Sequence, residues 1–467
     1  MNPTVVPLTR RELLRAGMAS GAVLLARPTI SLANALGPDP SSAAARRSKL
    51  GGGLRLVHAD LHNHSLLSDG DGDPLNAFAS MRSHGVDVAA LTDHAGVGKL
   101  QGDACHGCDQ AVGIDEDEWQ RIGALADASN ADGSFVAVRG FEWSSPTLGH
   151  MNVWFSSTWT DPLATGAIGA NTTAGFLLHE DDGQLDPTAK AAVNEILRAV
   201  PEGEVTMRGL YDWLANDPMR PVVGGGLDAI AGFNHPGREG GRFGYFAYDA
   251  AIAPRVVSIE MFNRGEDYLF EAVPSTISPL VECLDAGWRV GITGVTDEHG
   301  TNWGEPQGKG RTGIWIGEQA FTRAGVRAGL ESRRFFATRE RGLRVDATAN
   351  GIPMGGALDH ASGPIEFALD IDKGTEWTGH GLRVQVLQTG APLPTIVHEL
   401  DVVVPGADQP AITFTVPIER AIGDWVVLRI TDPTQPADER APDGPYAEAG
   451  RAIAYPSPFF LNYPADA

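Results

Sequence analysis

The sequence predicts an α/β protein in which a parallel sheet, open or closed into a barrel, is followed by an all-β region. Between residues 54 and 340, short apolar or β-branched runs alternate with stretches of helical character, which is typical of a parallel sheet with crossover helices. After Arg341 the helical signals stop, and short alternating runs follow that are separated by Gly, Pro and Asp. Residues 341–467 are therefore predicted to form an antiparallel β-sandwich domain.

The composition indicates a folded, acidic protein. Of the 467 residues, 42% are apolar and 20% are charged, so the chain can bury a large core and wholesale disorder is excluded. The net charge of −23 repels phosphate backbones, so no nucleic-acid partner is expected. The few cysteines cannot staple a fold of this size; Cys105 and Cys108 are predicted to form a local disulfide, and Cys283 to be a buried apolar residue.

Residues 1–35 resemble a bacterial twin-arginine signal peptide. Arg10 and Arg11 precede the small, weakly apolar run 16–26, and Ala35 ends a stretch of small residues suited to cleavage. The apolar run is about half of the ~20 residues needed to cross a membrane; an ordinary amphipathic helix is the alternative. The signal predicts a periplasmic or extracellular protein without a stable membrane span, delivered by the twin-arginine export machinery.

Beyond a linker at residues 36–53, predicted strands and helices alternate along the chain. Helices are expected at 74–83, 116–128, 205–215 and 278–286, the first strands at 54–61, 87–91, 135–141, 150–155, 229–234, 256–260 and 288–294, and the C-terminal strands at 343–347, 365–370, 382–387, 399–404, 412–416 and 425–430. The acidic residues 115–118 are interpreted as a helix N-terminus that complements the helix dipole, and not as a calcium loop.

Residues that can bind metals stand at the ends of most of these first strands. In chain order they are His62 and His64, His94, Glu142, His150, His235, and Asp297 with His299. Taken singly, each could be a turn residue or a satisfied buried polar group. Because the carboxyl ends of parallel strands meet at one edge, residues at the ends of several strands predict one shared site. His62 and His64 also share one face of an extended segment and can hold one ion together.

The string from Asp60 to Gly70, which reads DLHNHSLLSDG, resembles the opening motif of the PHP superfamily, named for its polymerase and histidinol-phosphatase members. Further motifs of that family are matched in order by Thr92-Asp93-His94, Glu142, His150, His235, Asp297 and His299. The resemblance spans about residues 54–300 and implies a metallohydrolase built on a distorted (β/α)7 TIM-like barrel within residues 54–340. The β-rich tail and the stretch 350–355 resemble the carbaryl-hydrolase-like branch of the family.

The resemblance also implies a trinuclear site for divalent metal ions. His62, His64, Glu142 and Asp297 would hold one ion and its bound water, Glu142 would bridge to a second ion held by His150 and His235, and Asp69, His94 and His299 would hold the third. Imidazole and carboxylate ligands without a thiolate suit Zn, Mn or Fe. The ligand types do not distinguish among these metals.

The predicted chemistry follows from charge. Three divalent ions would outweigh the carboxylates of Asp69, Glu142 and Asp297 by roughly three positive charges, so the site is expected to attract a small anionic or ester substrate. The implied reaction is hydrolysis by metal-activated water. A phosphoester is the favoured substrate, and a carbamate or carboxylic ester is the alternative that the branch resemblance and nearby tryptophans encourage. A non-catalytic metal-binding or sugar-binding envelope protein is the third interpretation.

A few further residues are assigned supporting roles. Asp60 and Asp93 could accept imidazole N–H bonds, although turn or cap chemistry is an equally good interpretation of each. Arg238 and Arg311 could clamp a substrate oxyanion, although either could be a solvated loop arginine. Asn263 is a weaker candidate for a substrate contact.

Two other features near the ligands are interpreted as structural. Glu260, at the end of its predicted strand, is expected to serve the fold. Trp143, Trp154 and Trp303 flank ligand segments and could line an aromatic substrate pocket, but core packing is the favoured interpretation.

Overall fold

The computed structural model describes residues 46–96, 113–145, 148–167, 205–221, 224–238, 241–270, 277–304 and 308–461. Its strands are β1 (Leu54–Asp60), β2 (Val88–Leu91), β3 (His94–Ala95), β4 (Val136–Ser145), β5 (Gly149–Trp154), β6 (Ile230–Phe233), β7 (Val256–Asn263), β8 (Glu266–Asp267), β9 (Gly291–Val295), β10 (Arg311–Gly317), β11 (Phe335–Thr338), β12 (Arg344–Ala349), β13 (Ile352–Pro353), β14 (Ala357–Leu358), β15 (Ser362–Asp372), β16 (Gly381–Gln388), β17 (Thr395–Val403), β18 (Ile412–Glu419), β19 (Trp425–Asp432), β20 (Arg451–Pro456) and β21 (Phe459–Leu461). Its helices are α1 (Pro74–Ser83), α2 (Glu116–Ser129), α3 (Arg208–Ala215), α4 (Arg242–Phe246), α5 (Pro279–Asp285), α6 (Arg323–Glu331) and α7 (Pro445–Glu448). The predicted signal peptide and the pair Cys105 and Cys108 lie outside the described residues.

The four predicted helices are confirmed as α1, α2, α3 and α5, and local sequence explains where the first two begin. Asp73 precedes α1 and accepts a hydrogen bond from the backbone N–H of Leu75 at 3.0 Å. At the start of α2, Asp115 accepts from the backbone N–H of Glu118 at 2.9 Å, and the Glu118 side chain accepts from the backbone N–H of Asp115 at 3.0 Å. This capping box satisfies N–H groups that a helix start leaves unpaired, so the acidic run is a helix N-terminus as predicted.

Strands β1 to β9, within residues 54–295, form the mixed, mainly parallel part of the large sheet. β1, β2 and β4 pair in parallel, and β6, β7 and β9 do likewise. Between these groups lies β5, which pairs antiparallel with both β4 and β6. The expected parallel order is broken here because only residues 146–148 join β4 to β5, and so short a connection makes a hairpin. The start of β5, with His150, consequently lies beside the end of β4.

The segments that follow β1 and β9 lie side by side. The backbone N–H of Asp297 donates to the carbonyl of His62 at 3.0 Å, and the N–H of His64 donates to the carbonyl of Glu298 at 2.9 Å. β10 pairs antiparallel with β1, and its residue Thr312 accepts from the backbone N–H of Gly294 in β9 at 3.2 Å. The first and last parallel strands therefore approach each other and bring their carboxyl ends to a common rim.

All of the predicted C-terminal strands are confirmed, as β12 and β15 to β19. They are divided between two sheets: β16, β17 and β19 continue the large sheet through β20 and β11, whereas β13, β12, β15 and β18 form a four-stranded antiparallel sheet. Both sheets contribute to one apolar core, which includes Val345, Phe367 and Leu428. The antiparallel pair of β11 and β20 carries the large sheet across the predicted domain boundary at residue 340.

The apolar core that includes Phe78, Trp143 and Ile292 is buried. Cys283 is buried within it, as predicted, and burial raises the pKa of its thiol well above the ordinary value. None of the helices within the described residues has the length and apolar character needed to cross a membrane.

Candidate metal centre

The predicted metal ligands converge on one rim of the large sheet. They stand after β1 (His62, His64, Asp69), at β3 (His94), in β4 and β5 (Glu142, His150), after β6 (His235) and after β9 (Asp297, His299). Their nitrogen and oxygen atoms form four groups, in each of which the ligand atoms lie within 4.8 Å of one another. The groups are His64, Asp69, His94 and His299; His62, His235 and Asp297; His62, His64 and Glu142; and His94, Glu142 and His150. Because the groups share members or adjoin closely, the side chains form one continuous cluster.

The groups differ in part from the three ligand sets that the family resemblance implies. His94, expected at the third ion, also joins Glu142 and His150. His235, expected at the second ion, joins a group with His62, while its Nε2 lies 3.1 Å from Glu142 Oε1. Single residues thus reach two neighbouring positions, and the assignment of each ligand to one ion stays a prediction.

The carboxylate of Glu142 lies at the centre of the cluster. It is fully buried and faces ring nitrogens of His62 at 3.2 Å, His64 at 3.5 Å, His94 at 2.7 Å, His150 at 3.3 Å and His235 at 3.1 Å. A carboxylate oxygen and the lone pair of a neutral imidazole repel each other. So many close contacts therefore require protons or cations between these atoms.

Two further carboxylates extend the cluster. Asp69 Oδ2 lies 3.0 Å from His299 Nε2 and 3.6 Å from His94 Nε2. Asp297 Oδ1 lies 3.3 Å from His64 Nε2. Acidic oxygens are thus distributed among all the imidazoles, so negative charge is available at several neighbouring positions.

The donor set fits divalent metal ions. His64 Nδ1 is buried and makes no hydrogen bond to the described residues, and the Nε2 atoms of His62 and His64 lie 3.0 Å apart. Ligand atoms that bind one ion at roughly 2.0–2.2 Å come within about 3–3.5 Å of each other, which matches these separations. Imidazole and carboxylate donors together suit Zn, Mn or Fe.

The crowding of acids and imidazoles shifts their pKa values in opposite directions. Burial lowers the pKa of His64 to about 3, and the neighbouring His299 and His94 act in the same direction. Burial alone would also lower the pKa of His94, but the carboxylates of Glu142 and Asp69 raise it to about 10. Burial would raise the pKa of Glu142, yet the imidazoles around it hold that pKa well below its ordinary value. This central carboxylate is therefore ionised and able to bind cations.

Two of the ligands occupy strained backbone conformations. The φ angle is +24° at His235 and +49° at Asp297, in the left-handed region that costs a non-glycine residue about 1–3 kcal/mol. The backbone N–H of His235 donates to Glu260 Oε2 at 2.8 Å, and that of Asp297 donates to the His62 carbonyl at 3.0 Å. These bonds hold the two turns in the conformations that direct their side chains into the cluster.

Asp60 and Asp93 brace the turns beside the ligands. Asp60 accepts from the backbone N–H and the hydroxyl of Thr296 at 3.1 and 2.7 Å. Asp93 accepts from the backbone N–H of Ser65 at 2.7 Å and from the Ser68 hydroxyl at 2.8 Å. Within the described residues neither accepts from a ligand imidazole, so the alternative interpretation as turn chemistry describes both.

Of the three residues predicted to contact substrate, Arg238 and Asn263 lie beside the cluster and Arg311 does not. Arg238 reaches the cluster, donating to Asp297 Oδ2 at 3.0 Å and to Asn263 Oδ1 at 3.1 Å. Arg311 is buried in β10, where its guanidinium lies 3.7 Å from Asp60 and donates to a backbone carbonyl. Arg311 therefore supports the fold behind the ligand-bearing turns, and the prediction of a substrate contact is corrected for this residue.

Sequence reasoning missed two polar residues that orient ligands. Glu260 Oε1 accepts from His62 Nδ1 at 2.8 Å, whereas the sequence predicts only a structural role for Glu260. Asn234 donates from Nδ2 to Glu142 Oε1 at 2.7 Å. The signal was present in both cases, because each residue ends an apolar strand run in the same way as Glu142 does.

Arg264 was also missed. Its Nη2 donates to Asp297 Oδ1 at 3.2 Å and to His299 Nδ1 at 2.7 Å. The residue lies just after β7 with φ +51°, and nothing in its local sequence distinguishes it from a solvated loop arginine.

The tryptophans beside the ligand segments belong to the core. Trp143, Trp154 and Trp303 are at most 2% exposed, and each indole N–H donates to a hydroxyl or a carbonyl oxygen. Core packing, the favoured interpretation, is confirmed, and these residues do not line an aromatic substrate pocket.

No protein-family model matches the chain, and no curated protein matches it. Among solved structures, similar chains include a two-domain protein from Bacteroides vulgatus described as containing a predicted PHP-like metal-dependent phosphoesterase (TM-score 0.36, 14% identity, 86% of this chain and 95% of that chain covered). They also include an amidohydrolase from Chromobacterium violaceum with bound sulfate and no metal (TM-score 0.28, 16% identity, 59% and 96% covered).

Proposed function

We propose that this protein is a metal-dependent hydrolase of the PHP superfamily that cleaves a phosphoester bond in a small substrate. The observation that carries the proposal is the carboxylate of Glu142, buried among five imidazoles at 2.7–3.5 Å. A buried carboxylate in such surroundings is stabilised when cations lie between the donor atoms. We propose up to three Zn, Mn or Fe ions in this cluster.

The proposed roles follow from position. Divalent ions held here would acidify a bound water and polarise the bond under attack. His62, His64, Glu142 and Asp297 hold the site of that water, and Asp69 and the other imidazoles hold the neighbouring positions. The strained turns at His235 and Asp297 keep their side chains fixed, so little reorganisation is needed when substrate binds.

Arg238 and Arg264 support an anionic substrate. Their guanidinium groups both contact Asp297, so two permanent positive charges lie at one side of the cluster. Their side chains are 28% and 41% exposed, so the arginines can be reached by a ligand in a way that Arg311 cannot. Guanidinium groups bind phosphate oxygens in a bidentate manner, which favours a phosphoester over an uncharged carbamate.

The remaining expectations complete the proposal. The mainly parallel sheet would be the distorted (β/α)7 barrel of the family, residues 341–467 its β-sandwich accessory domain, and the carbaryl-hydrolase-like branch its nearest group. Export by the twin-arginine machinery would place the enzyme in the periplasm or outside the cell.

The proposal is tested with purified full-length protein loaded separately with Mn, Zn or Fe. Hydrolysis of bis(p-nitrophenyl) phosphate, p-nitrophenyl phosphate and 1-naphthyl methylcarbamate is measured for the wild type, for His62→Ala, and for His398→Ala as a histidine control outside the cluster. We expect phosphoester turnover that His62→Ala abolishes and His398→Ala preserves.

Other outcomes favour the other functions. Turnover of the carbamate alone supports the carbamate or carboxylic ester alternative. Bound metal without turnover of any substrate supports a non-catalytic metal-binding protein, and failure to bind metal removes the proposal altogether.

A further inference from the structure

We propose that Glu260 is a positioning residue that joins the metal ligands His62 and His235 to the substrate-binding Arg238. The inference rests on the proposed metal site, and it assigns the role to one carboxylate of β7. Glu260 is 2% exposed, and its two oxygens face different parts of the cluster.

The first oxygen fixes the orientation of an imidazole. Glu260 Oε1 accepts from His62 Nδ1 at 2.8 Å. A proton held at Nδ1 leaves the lone pair on Nε2, and His62 Nε2 is the atom that lies 3.2 Å from Glu142. Carboxylates that accept from the outer nitrogen of a ligating histidine fix its tautomer and raise its basicity. Glu260 therefore prepares His62 to bind a cation through Nε2.

The second oxygen holds a strained turn. Glu260 Oε2 accepts the backbone N–H of His235 at 2.8 Å, and His235 has φ +24°. Because this conformation is unfavourable for a residue with a Cβ, the turn needs a partner that favours it. The same carboxylate thus orients one ligand through its ring and a second ligand through its backbone.

A third contact extends this arrangement to the arginine. Asn263 Nδ2 donates to Glu260 Oε2 at 2.9 Å, which leaves Asn263 Oδ1 to accept from Arg238 Nη2 at 3.1 Å. Arg238 Nη1 in turn donates to Asp297 Oδ2 at 3.0 Å. A continuous series of hydrogen bonds therefore leads from His62 through Glu260 and Asn263 to Arg238.

The environment of Glu260 argues against a purely structural carboxylate. Within the described residues, no lysine or arginine forms an ion pair with Glu260; its ion-pair partner is His62. Buried carboxylates elsewhere in the molecule, such as Asp370 beside Arg344 at 2.9 Å, are neutralised by an arginine. The charge of Glu260 is directed instead at a ligand of the proposed metal site.

The test compares Glu260→Gln with Glu399→Gln, a control in β17 whose carboxylate accepts from Gln385 at 2.6 Å outside the cluster. Metal affinity is measured by competition with a chelator, and bound metal is counted by elemental analysis. A glutamine cannot accept at both ends, so one set of contacts is lost. We expect metal affinity to fall about 10- to 100-fold in Glu260→Gln and to stay within threefold of the wild type in Glu399→Gln.

A second variant separates the contact of Glu260 with His62 from its link, through Asn263, to Arg238. Asn263→Ala removes the link to Arg238 but leaves the bond between Glu260 and His62. We expect KM for the phosphoester to rise about 10- to 100-fold, as for loss of one hydrogen bond to a charged group, with metal affinity unchanged. A merely structural role would instead lower stability without separating KM from metal affinity.

The failures are distinguishable. If Glu260→Gln binds metal as tightly as the wild type while His62→Ala does not, the positioning role is wrong and the metal site stands. If His62→Ala also binds metal like the wild type, the proposed function fails and the inference fails with it.

Discussion

In the four-stranded sheet of the C-terminal half, Arg344 donates to Asp370 at 2.9 Å and lies 3.4 Å from Asp372. At the rim of the large sheet, Glu142 instead faces five imidazoles, and no lysine or arginine among the described residues forms an ion pair with it. Both regions bury carboxylates almost completely. In the C-terminal sheet the compensating charge is supplied by the chain itself.

This difference in how the buried carboxylates are compensated indicates a structural role for the C-terminal pair and a binding role for the rim. A buried pair such as Arg344 and Asp370 is complete, so its removal should affect stability and nothing else. Glu142 at the rim has no arginine or lysine partner among the described residues, so its charge is compensated only by protons or metal ions that bind beside it. The following predictions test this contrast, beginning with the largest expected effect.

Breaking the complete pair should be costly for folding and neutral for metal binding. Arg344→Met leaves Asp370 buried beside an apolar side chain, which should lower the free energy of unfolding by about 3–5 kcal/mol. Urea unfolding measures the change, and chelator competition checks that metal affinity stays at the wild-type value. Replacing both partners, in Arg344→Met with Asp370→Leu, should restore most of the loss; a double variant as unstable as the single one would contradict the pairing argument.

A substitution at the rim should instead reduce activity and metal binding. Glu142→Gln removes the charge that the five imidazoles share, so we expect phosphoester turnover to fall by more than about a hundredfold, beyond the usual effect of losing an outer partner of a ligand. Bound metal should fall in the same variant. Glu399→Gln serves as the control, and wild-type metal content in Glu142→Gln would show that this carboxylate is not a ligand.

Metal binding should stabilise the wild type through the same carboxylate. A ligand present at a hundredfold excess over its Kd stabilises the folded state by about 2.7 kcal/mol, so adding Mn or Zn to chelator-treated protein should raise Tm by a few °C, which differential scanning calorimetry can measure. Arg344→Met should retain this increase from a lower starting Tm, whereas Glu142→Gln should lose it. An equal increase in all three proteins would indicate non-specific binding.

The predicted metal ligands at the rim could be identified from the sequence more completely than the strands and side chains around them. His62, His94, Glu142, His235 and Asp297 stand where an apolar run ends, and the ends of parallel strands meet whatever the details of packing. The positions of these residues at the ends of successive predicted strands were therefore enough to predict that they share one site. The antiparallel β5 was not foreseen, since its direction is set by the short connection that precedes it.

The partners of the ligands could not be read in the same way. Glu260 ends an apolar run as the predicted ligands do, but its contact with His62 is made across the rim. The contact of Arg264 with Asp297 is of the same kind, and no local pattern encodes either contact. Arg311 shows the converse case. The sequence predicts a possible substrate contact for Arg311, but the residue is buried in β10 with its guanidinium 3.7 Å from Asp60.

The smallest expected effect concerns an imidazole outside the cluster. His58 is buried in β1 and its Nδ1 makes no hydrogen bond to the described residues. No carboxylate in the part of the chain that the structure describes forms an ion pair with its ring. Burial, together with the positive charges of Arg46, Arg311 and Arg341, lowers the pKa of His58 to about 3. The pKa of His58 is thus shifted in the opposite direction to that of His94, whose pKa is raised to about 10 by neighbouring carboxylates.

The lowered pKa of His58 should reduce the stability of the folded state at acidic pH. Below pH 6.5 the unfolded chain protonates His58 while the folded chain does not until about pH 3, so the folded state loses stability as the pH falls through this window. At pH 5 the loss should be about 2 kcal/mol, at 1.36 kcal/mol per pH unit. His58→Gln removes this group and leaves the histidines of the rim in place, so urea unfolding of both proteins between pH 5 and 7.5 should show the variant losing about 2 kcal/mol less. Parallel pH profiles would mean that the pKa of His58 is the same in the folded and unfolded states, and that neither burial nor the arginines around it lower that pKa.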